Sequence, residues 1–266
     1  MTIWLIYCLL GGVVGILAGL LGVGGGIIIV PALAFVFAKQ QFLPTHIQHM
    51  VVGTSLATIV FTSISSMKAH HERESVDWAI VRRMAPAIVT GTLAGSWVAS
   101  HLTTHFLQWL FVVFLFCIAV QMLMKTEVKP SPVKSKHTLA MTVAGGLIGG
   151  LSSMVGIGGG SMVVPFLCWC NVAMRTAIGT SSAVGLFIAL AGTVGSIVFA
   201  SGEIALPKYS LGYVYLPALA GIAVFSMLTA PVGAMLAHRL PVPALRRGFA
   251  LLLMVMGAKM LFNLLR

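Results

Sequence analysis

Two glycine-rich stretches are the strongest candidates for chemistry in this sequence. Residues 22–31 read GVGGGIIIVP and residues 156–165 read GIGGGSMVVP, with four residues between the last glycine and the proline in each. Glycine is about 1 kcal/mol less favourable than alanine inside a helix, so each cluster should interrupt one. A helix that begins after such a break presents unpaired N–H groups and a positive dipole end, which favour an anion. The residues predicted to bind a small anion are Gly24, Gly25, Gly26, Gly158, Gly159 and Gly160.

Close glycine packing between helices would explain one such cluster, but a matched pair favours the site. Hydroxyl groups follow the same two-fold pattern, because GTS occurs at residues 53–55 and again at residues 179–181. These hydroxyls could donate to the anion or bond their own helix backbone, and the sequence leaves both roles open. The first half has Ile27 where the second has a serine. The candidate donors are Thr54, Ser55, Thr180, Ser181 and Ser161.

Charged candidates are few. Arg175 is the fixed cation nearest the second GTS motif, and its guanidinium would match an oxyanion with paired donors; its alternative role is an ordinary loop charge. Cation sites and proton relays usually need a carboxylate inside the membrane, and none is placed there. Cation transport is therefore disfavoured, and no metal site, cofactor or enzyme motif is predicted. The acidic residues, all in or beside loops, are Glu72, Glu74, Asp77, Glu127 and Glu203.

The cysteines offer a different class of function. Cys168 and Cys170 form C-x-C, which on a helix places the two thiols on roughly opposite faces. Buried small hydrophobes are the expected role of all four cysteines. The alternative is a membrane redox or assembly partner that uses Cys168 and Cys170.

The elements that must position these residues are membrane helices. The chain has 266 residues, of which 59% are hydrophobic and 8% charged, and its mean hydropathy is +1.04. A soluble domain of this size needs more charge to cover its surface, so a bilayer is the expected solvent. Segments 3–38 and 138–170 are too long for one crossing and too short for two. Each is predicted to be a helical hairpin broken at its glycines.

The two halves repeat one another, with the basic segment 125–137 as the predicted cytoplasmic linker between repeats 1–124 and 138–266. Equivalent loops carry opposite Lys and Arg biases, as inverted repeats require if basic loops stay in the cytoplasm. The net charge of +11 therefore reads as a topology signal rather than as a nucleic-acid site. The predicted fold is an all-α polytopic membrane protein with two inverted repeats, each a glycine-broken hairpin plus three transmembrane helices. Both termini are predicted outside, and a homodimer is left open.

At these motifs the chain resembles the sulfite exporter TauE/SafE family of membrane permeases. The resemblance covers essentially the full chain and implies an inner-membrane transporter, often an exporter of sulfite, sulfonates or related small organic anions. It implies that the matching glycine and GTS positions line the path. Uptake of small organic acids is the alternative within transport. The segments that carry the resemblance are GLLGVGGGIIIVP, GTSLAT, MVGIGGGSMVVPFL, AIGTSSAV and GAMLAHRLPVPALRRGFALLLMVMGAKML.

Overall fold

The computed structural model describes residues 2–21, 24–123, 138–200, 206–239 and 242–265. Helices account for nearly all of these ranges, and one short antiparallel hairpin precedes α9. The predicted linker 125–137 and Gly22 lie outside the described residues. The elements are α1 (Thr2–Leu21), α2 (Gly26–Lys39), α3 (Ile47–His71), α4 (Trp78–His101), α5 (Thr104–Leu123), α6 (Thr138–Val155), α7 (Gly160–Trp169), α8 (Met174–Val198), β1 (Ser210–Leu211), β2 (Val214–Tyr215), α9 (Leu216–Arg239) and α10 (Val242–Leu264).

The prediction of an all-α polytopic membrane protein is confirmed. Within the described residues, five helices are long and apolar enough to cross a bilayer: α1, α3, α5, α8 and α9. Large apolar side chains also cover the outside of the bundle, with Leu9 64%, Leu147 64% and Leu228 69% exposed. Such a surface would aggregate in water and is stable in contact with lipid.

Both overlong apolar segments are broken where the glycines predict. The first divides into α1 and α2, and the second into α6 and α7. The helices after the breaks have 14 and 10 residues and are too short to cross the membrane alone. Non-helical backbone at this depth requires shielding from lipid, and the residues around both breaks are buried.

Helices α3 and α8 form the centre of the bundle and run antiparallel. Ser66 near the end of α3 bonds Ser182 near the start of α8, with 3.1 Å between their Oγ atoms. Leu56 near the start of α3 contacts Gly192 in the second half of α8. These two helices carry the GTS motifs, so each half contributes its motif to one central pair.

Two parallel helix pairs flank this centre, and each joins one half of the chain to the other. In the pair α1 and α9, a Cβ atom added at Gly19 would lie 2.0 Å from the carbonyl oxygen of Ala230. In the pair α4 and α6, a Cβ atom added at Gly91 would lie 2.1 Å from the carbonyl oxygen of Gly146. Glycine permits this backbone approach, the usual means of tight packing between membrane helices.

Side-chain contacts show in which direction each central helix runs relative to the flanking pairs. Thr62 of α3 bonds Ser226 of α9, with 2.8 Å between the oxygens, and the start of α3 lies beside the start of α9. Helix α3 is therefore parallel to α1 and α9. Similarly, Ser96 of α4 lies beside Gly195 of α8, and Asp77, just before α4, bonds Thr180 in the first half of α8. Helices α4, α6 and α8 thus run opposite to α1, α3 and α9.

Candidate functional site

The glycine breaks share one backbone feature. The residues before α2 and α7, Gly25 and Gly159, have φ values of +82° and +73°, in the left-handed region that only glycine adopts without strain. Neither N-cap has a side-chain hydrogen bond. Because an α-helix leaves its first N–H groups without intrahelical partners, both helices begin with donors that point along the helix axis toward the break.

The two breaks contact each other in the middle of the bundle. A Cβ atom added at Gly24 would lie 3.6 Å from Cα of Gly158, and one added at Gly26 would lie 2.5 Å from the carbonyl oxygen of Gly156. Ile59, the midpoint of α3, touches the first break, and Gly185 of α8 touches the second. The structure therefore brings the predicted glycine residues of both halves together at mid-depth.

The GTS threonines hold loops of the protein itself. Thr54 Oγ1 accepts a hydrogen bond from the N–H of Tyr215 at 3.0 Å, immediately before α9. Thr180 Oγ1 accepts the N–H of Asp77 at 2.9 Å, immediately before α4. From the sequence these hydroxyls were candidates either for the substrate or for their own helix backbone, and the distant amides that they bind were not predictable. A hydroxyl that accepts one bond still keeps its own hydrogen as a donor.

The two GTS serines differ in what they bond. Ser55 donates to the carbonyl oxygen of Gly156 at 2.8 Å, so α3 fixes the backbone of the second break. Ser181 donates to the carbonyl oxygen of Ile178 in its own helix at 2.8 Å. Ser55 is therefore a positioning residue for the break.

Three buried serines surround the second break, and sequence analysis singled out only one of them. Ser161 lies in the first turn of α7, Ser152 in the last turn of α6 and Ser63 on α3, and each is at most 2% exposed. Within the described residues, none of the three hydroxyls has a hydrogen-bond partner. Ser152 directly precedes the glycine cluster in sequence, a signal that could have identified it, whereas Ser63 is recognisable only from the packing of α3.

Arg175 is not brought to the breaks. It is exposed in the first turn of α8, ten residues before Gly185, which corresponds to about 15 Å along an α-helix. The buried polar side chains that the structure describes are Ser, Thr, Gln and His, with no Asp, Glu, Lys or Arg among them. Donors to a ligand at the breaks are therefore neutral.

A small cavity lined by both polar and apolar side chains lies near the second break, on the side where α3 begins. Its volume is about 20 Å³, room for about one or two water molecules. Val52 and Ser153 line its deep end, and Ser196 and Tyr213 line it nearer the loops. His49 of α3 is buried there, with its Nε2 3.1 Å from the carbonyl oxygen of Ala99.

The cysteines form no metal or redox centre among the described side chains. All four are free thiols, and no group of three or more His, Cys, Asp or Glu could hold a metal in the part of the chain described. Cys168 is buried against Met174. In the loop between α7 and α8, burial raises the pKa of the Cys170 thiol, which disfavours the reactive thiolate.

Bundles of membrane helices whose broken segments meet at mid-depth are typical of secondary transporters, and this fold defines the class of a multi-pass membrane transporter. A family model described as sulfite exporter TauE/SafE matches residues 7–260. A probable membrane transporter protein of Haemophilus influenzae is 36% identical over 98% of this chain and 99% of its own length. A probable membrane transporter protein of Methanocaldococcus jannaschii is 28% identical over 95% of this chain and 93% of its own.

The chain belongs to the sulfite exporter TauE/SafE family of membrane transporters. No solved structure matches it.

Proposed function

We propose that this protein is a secondary transporter that exports small anions such as sulfite, sulfonates or related organosulfur acids across the inner membrane. The observation that carries the proposal is the contact between two glycine breaks, each followed by a helix N-terminus, at the centre of the bundle. The first-turn N–H groups and the helix dipoles attract negative charge without a formal charge in the membrane. The anion is held by the residues of both breaks, with Ser161 and the GTS hydroxyls as further donors.

Transport by alternating access accounts for the closed centre. The breaks touch, and the nearby cavity of about 20 Å³ is too small for a sulfur oxyanion. A substrate binds when the breaks separate, and α1 with α9 and α4 with α6 are the packed pairs that move relative to α3 and α8. Export of an anion needs no counter-ion, because the membrane potential supplies ~2.3 kcal/mol per charge per 100 mV.

The inverted repeat is part of this proposal. Helices α3 and α8 hold equivalent GTS motifs and run antiparallel, and α1 and α6, which hold equivalent breaks, also run in opposite directions. Basic residues at one side of the bundle support a cytoplasmic assignment of that side and periplasmic termini. They are Lys68, Arg73, Arg82, Arg83 and Arg175, against Lys39 and Lys208 at the opposite side.

Labelling tests this orientation. In a cysteine-free background, cysteine at the exposed position Lys208 is expected to react with an impermeant maleimide added outside intact cells, since Lys208 lies just before the β1–β2 hairpin that leads into α9. Cysteine at the exposed position Glu72, where α3 ends, is expected to react only after the membrane is opened. The reverse pattern would invert the assignment, and reaction of both positions in intact cells would contradict the helix directions.

Flux in proteoliposomes tests the function itself. We expect labelled sulfite or a short sulfonate to move down its gradient, faster when an imposed potential is positive on the destination side. A version with Cys8, Cys117, Cys168 and Cys170 replaced by alanine is expected to retain this flux, because none of these thiols is at the breaks. Loss of flux from that version alone would favour the redox reading, and flux of carboxylates but not of sulfur anions would favour the organic-acid alternative.

A further inference from the structure

The two glycine breaks differ in chemistry although their backbones match. A Cβ atom added at Gly159 would lie 3.6 Å from Oγ of Ser152, and Ser161 follows two residues later in the first turn of α7. A Cβ atom added at Gly185 would lie 3.5 Å from Oγ of Ser63 and 2.6 Å from the carbonyl oxygen of Gly158. The nearest side-chain atom to Gly159 is Cδ1 of Ile188, 2.2 Å from the added Cβ, so the second break has both hydroxyl groups and hydrocarbon beside it.

The first break is surrounded by hydrocarbon. Cβ atoms added at Gly24 and Gly25 would meet Ile59 at 2.8 Å and Val14 at 2.3 Å, with Cβ of Ala18 3.5 Å from the latter position. When the halves are aligned on their glycine and GTS motifs, Ala18 stands where the second half has Ser152. By the same alignment Ile27 corresponds to Ser161, and the equivalent of Ser63 in α8 is Ala189.

The serines at the second break point to a ligand. Their hydroxyls are buried and have no hydrogen-bond partner within the described residues. A buried hydroxyl is destabilising when unpaired, and native proteins retain few of them. Three around one helix N-terminus supply donors for which the described chain offers no acceptor.

We propose that, of the two breaks that hold the anion, the second binds its charged head, through the first-turn N–H groups of α7 and the hydroxyls of Ser63, Ser152 and Ser161. The apolar side chains of the first break contact the uncharged part of the same molecule. This binding mode rests on the proposed transport function and narrows its substrate class. The preferred substrate is an organic anion with one charged group and a short alkyl chain, such as an alkanesulfonate, rather than an inorganic oxyanion.

Competition against labelled sulfite flux in proteoliposomes tests the preference on the unaltered protein. The probes are methanesulfonate, ethanesulfonate and propanesulfonate. The half-inhibitory concentration is expected to fall about fourfold per added methylene, as the ~0.8 kcal/mol for burying one CH₂ implies. A series with no dependence on chain length overturns the binding mode and leaves transport standing. If neither sulfite nor any sulfonate moves or competes, the proposed function itself fails.

Single substitutions locate the head group. Ser161→Ala, Ser152→Ala and Ser63→Ala are each expected to raise the half-inhibitory concentration of ethanesulfonate about tenfold, the effect of losing one hydrogen bond to a charged group. Ser65→Ala is the matched control on α3, because its hydroxyl donates to Met227 at 2.8 Å and faces α9. Equal values for the control and all three variants overturn the assignment of the serines.

A change at the first break tests the apolar contact independently. Ile27→Ser gives the first break the hydroxyl that its counterpart has. We expect the dependence of the half-inhibitory concentration on alkyl chain length to shrink. An unchanged chain-length dependence in Ile27→Ser overturns the placement of the alkyl group at the first break.

Discussion

Valine at Gly159 or at Gly25 is expected to abolish anion flux while the chain still inserts into the membrane. Both glycines have positive φ, where a residue other than glycine is strained by ~1–3 kcal/mol. The added side chain also has no space, because its Cβ would lie 2.2 Å from Cδ1 of Ile188 or 2.3 Å from Cγ1 of Val14. The turn must move to relieve this, and the helix N-terminus that it positions moves with it.

Flux in proteoliposomes measures the loss of transport, and membrane fractionation measures whether the variant chains still insert. Gly12→Val is the matched control, since Gly12 is helical and no described atom lies within 4 Å of an added Cβ. We expect near-normal flux from the control. Normal flux from both break variants would show that the backbone at the breaks need not approach the substrate closely.

Removing both GTS threonine hydroxyls has the second largest expected effect, and it falls on stability. Thr54→Val and Thr180→Val each leave a backbone N–H, that of Tyr215 or Asp77, without its acceptor. Leaving one buried donor unpaired costs ~1–3 kcal/mol. The two sites share no partner, so their effects should be roughly additive. Thermal unfolding of the purified protein in detergent is expected to show a lower Tm for each variant and the lowest for the double variant.

Thr193→Val is the control, because its hydroxyl donates to Ala189 in its own helix. The same variants separate the two roles of the motif. A hydroxyl that only anchors a loop lowers Tm and leaves the substrate concentration for half-maximal flux unchanged. A hydroxyl that also donates to the substrate raises that concentration. Unchanged Tm in both single variants would contradict the anchoring role.

For the GTS motifs, the positions were predictable from the sequence and the hydrogen-bond partners were not. The repeat identified them as equivalent, and their place near the starts of two membrane helices is correct. Their hydrogen-bond partners were not predictable, because Tyr215 and Asp77 lie 161 and 103 residues from the threonines that bind them. The mirrored arrangement, in which each motif anchors the helix entry of the other half, follows only from the packing of α3 and α8 against α9 and α4.

Of the serines at the second break, one was predictable from the sequence and another only from the structure. Ser161 was predicted because it follows the glycine cluster directly, and chain connectivity alone places it there. Ser63 is 96 positions before Gly159 in the numbering and reaches the break only because α3 crosses α8 beside Gly185. Arg175 was proposed from closeness in sequence to GTS, yet the rise of the helix carries it away from the centre.

The sequence alone determined that the chain is a membrane protein, that two of its helices break, and where. Those properties are local: hydrophobic length sets what a bilayer accepts, and glycine sets where the backbone can turn. Only the tertiary structure decided that the breaks touch, that the GTS threonines bind backbone amides of the other half, and that three serine hydroxyls lie beside one break but not beside the other. These depend on which distant groups meet, because a hydrogen bond or a packing contact is decided by position in space and not by order along the chain.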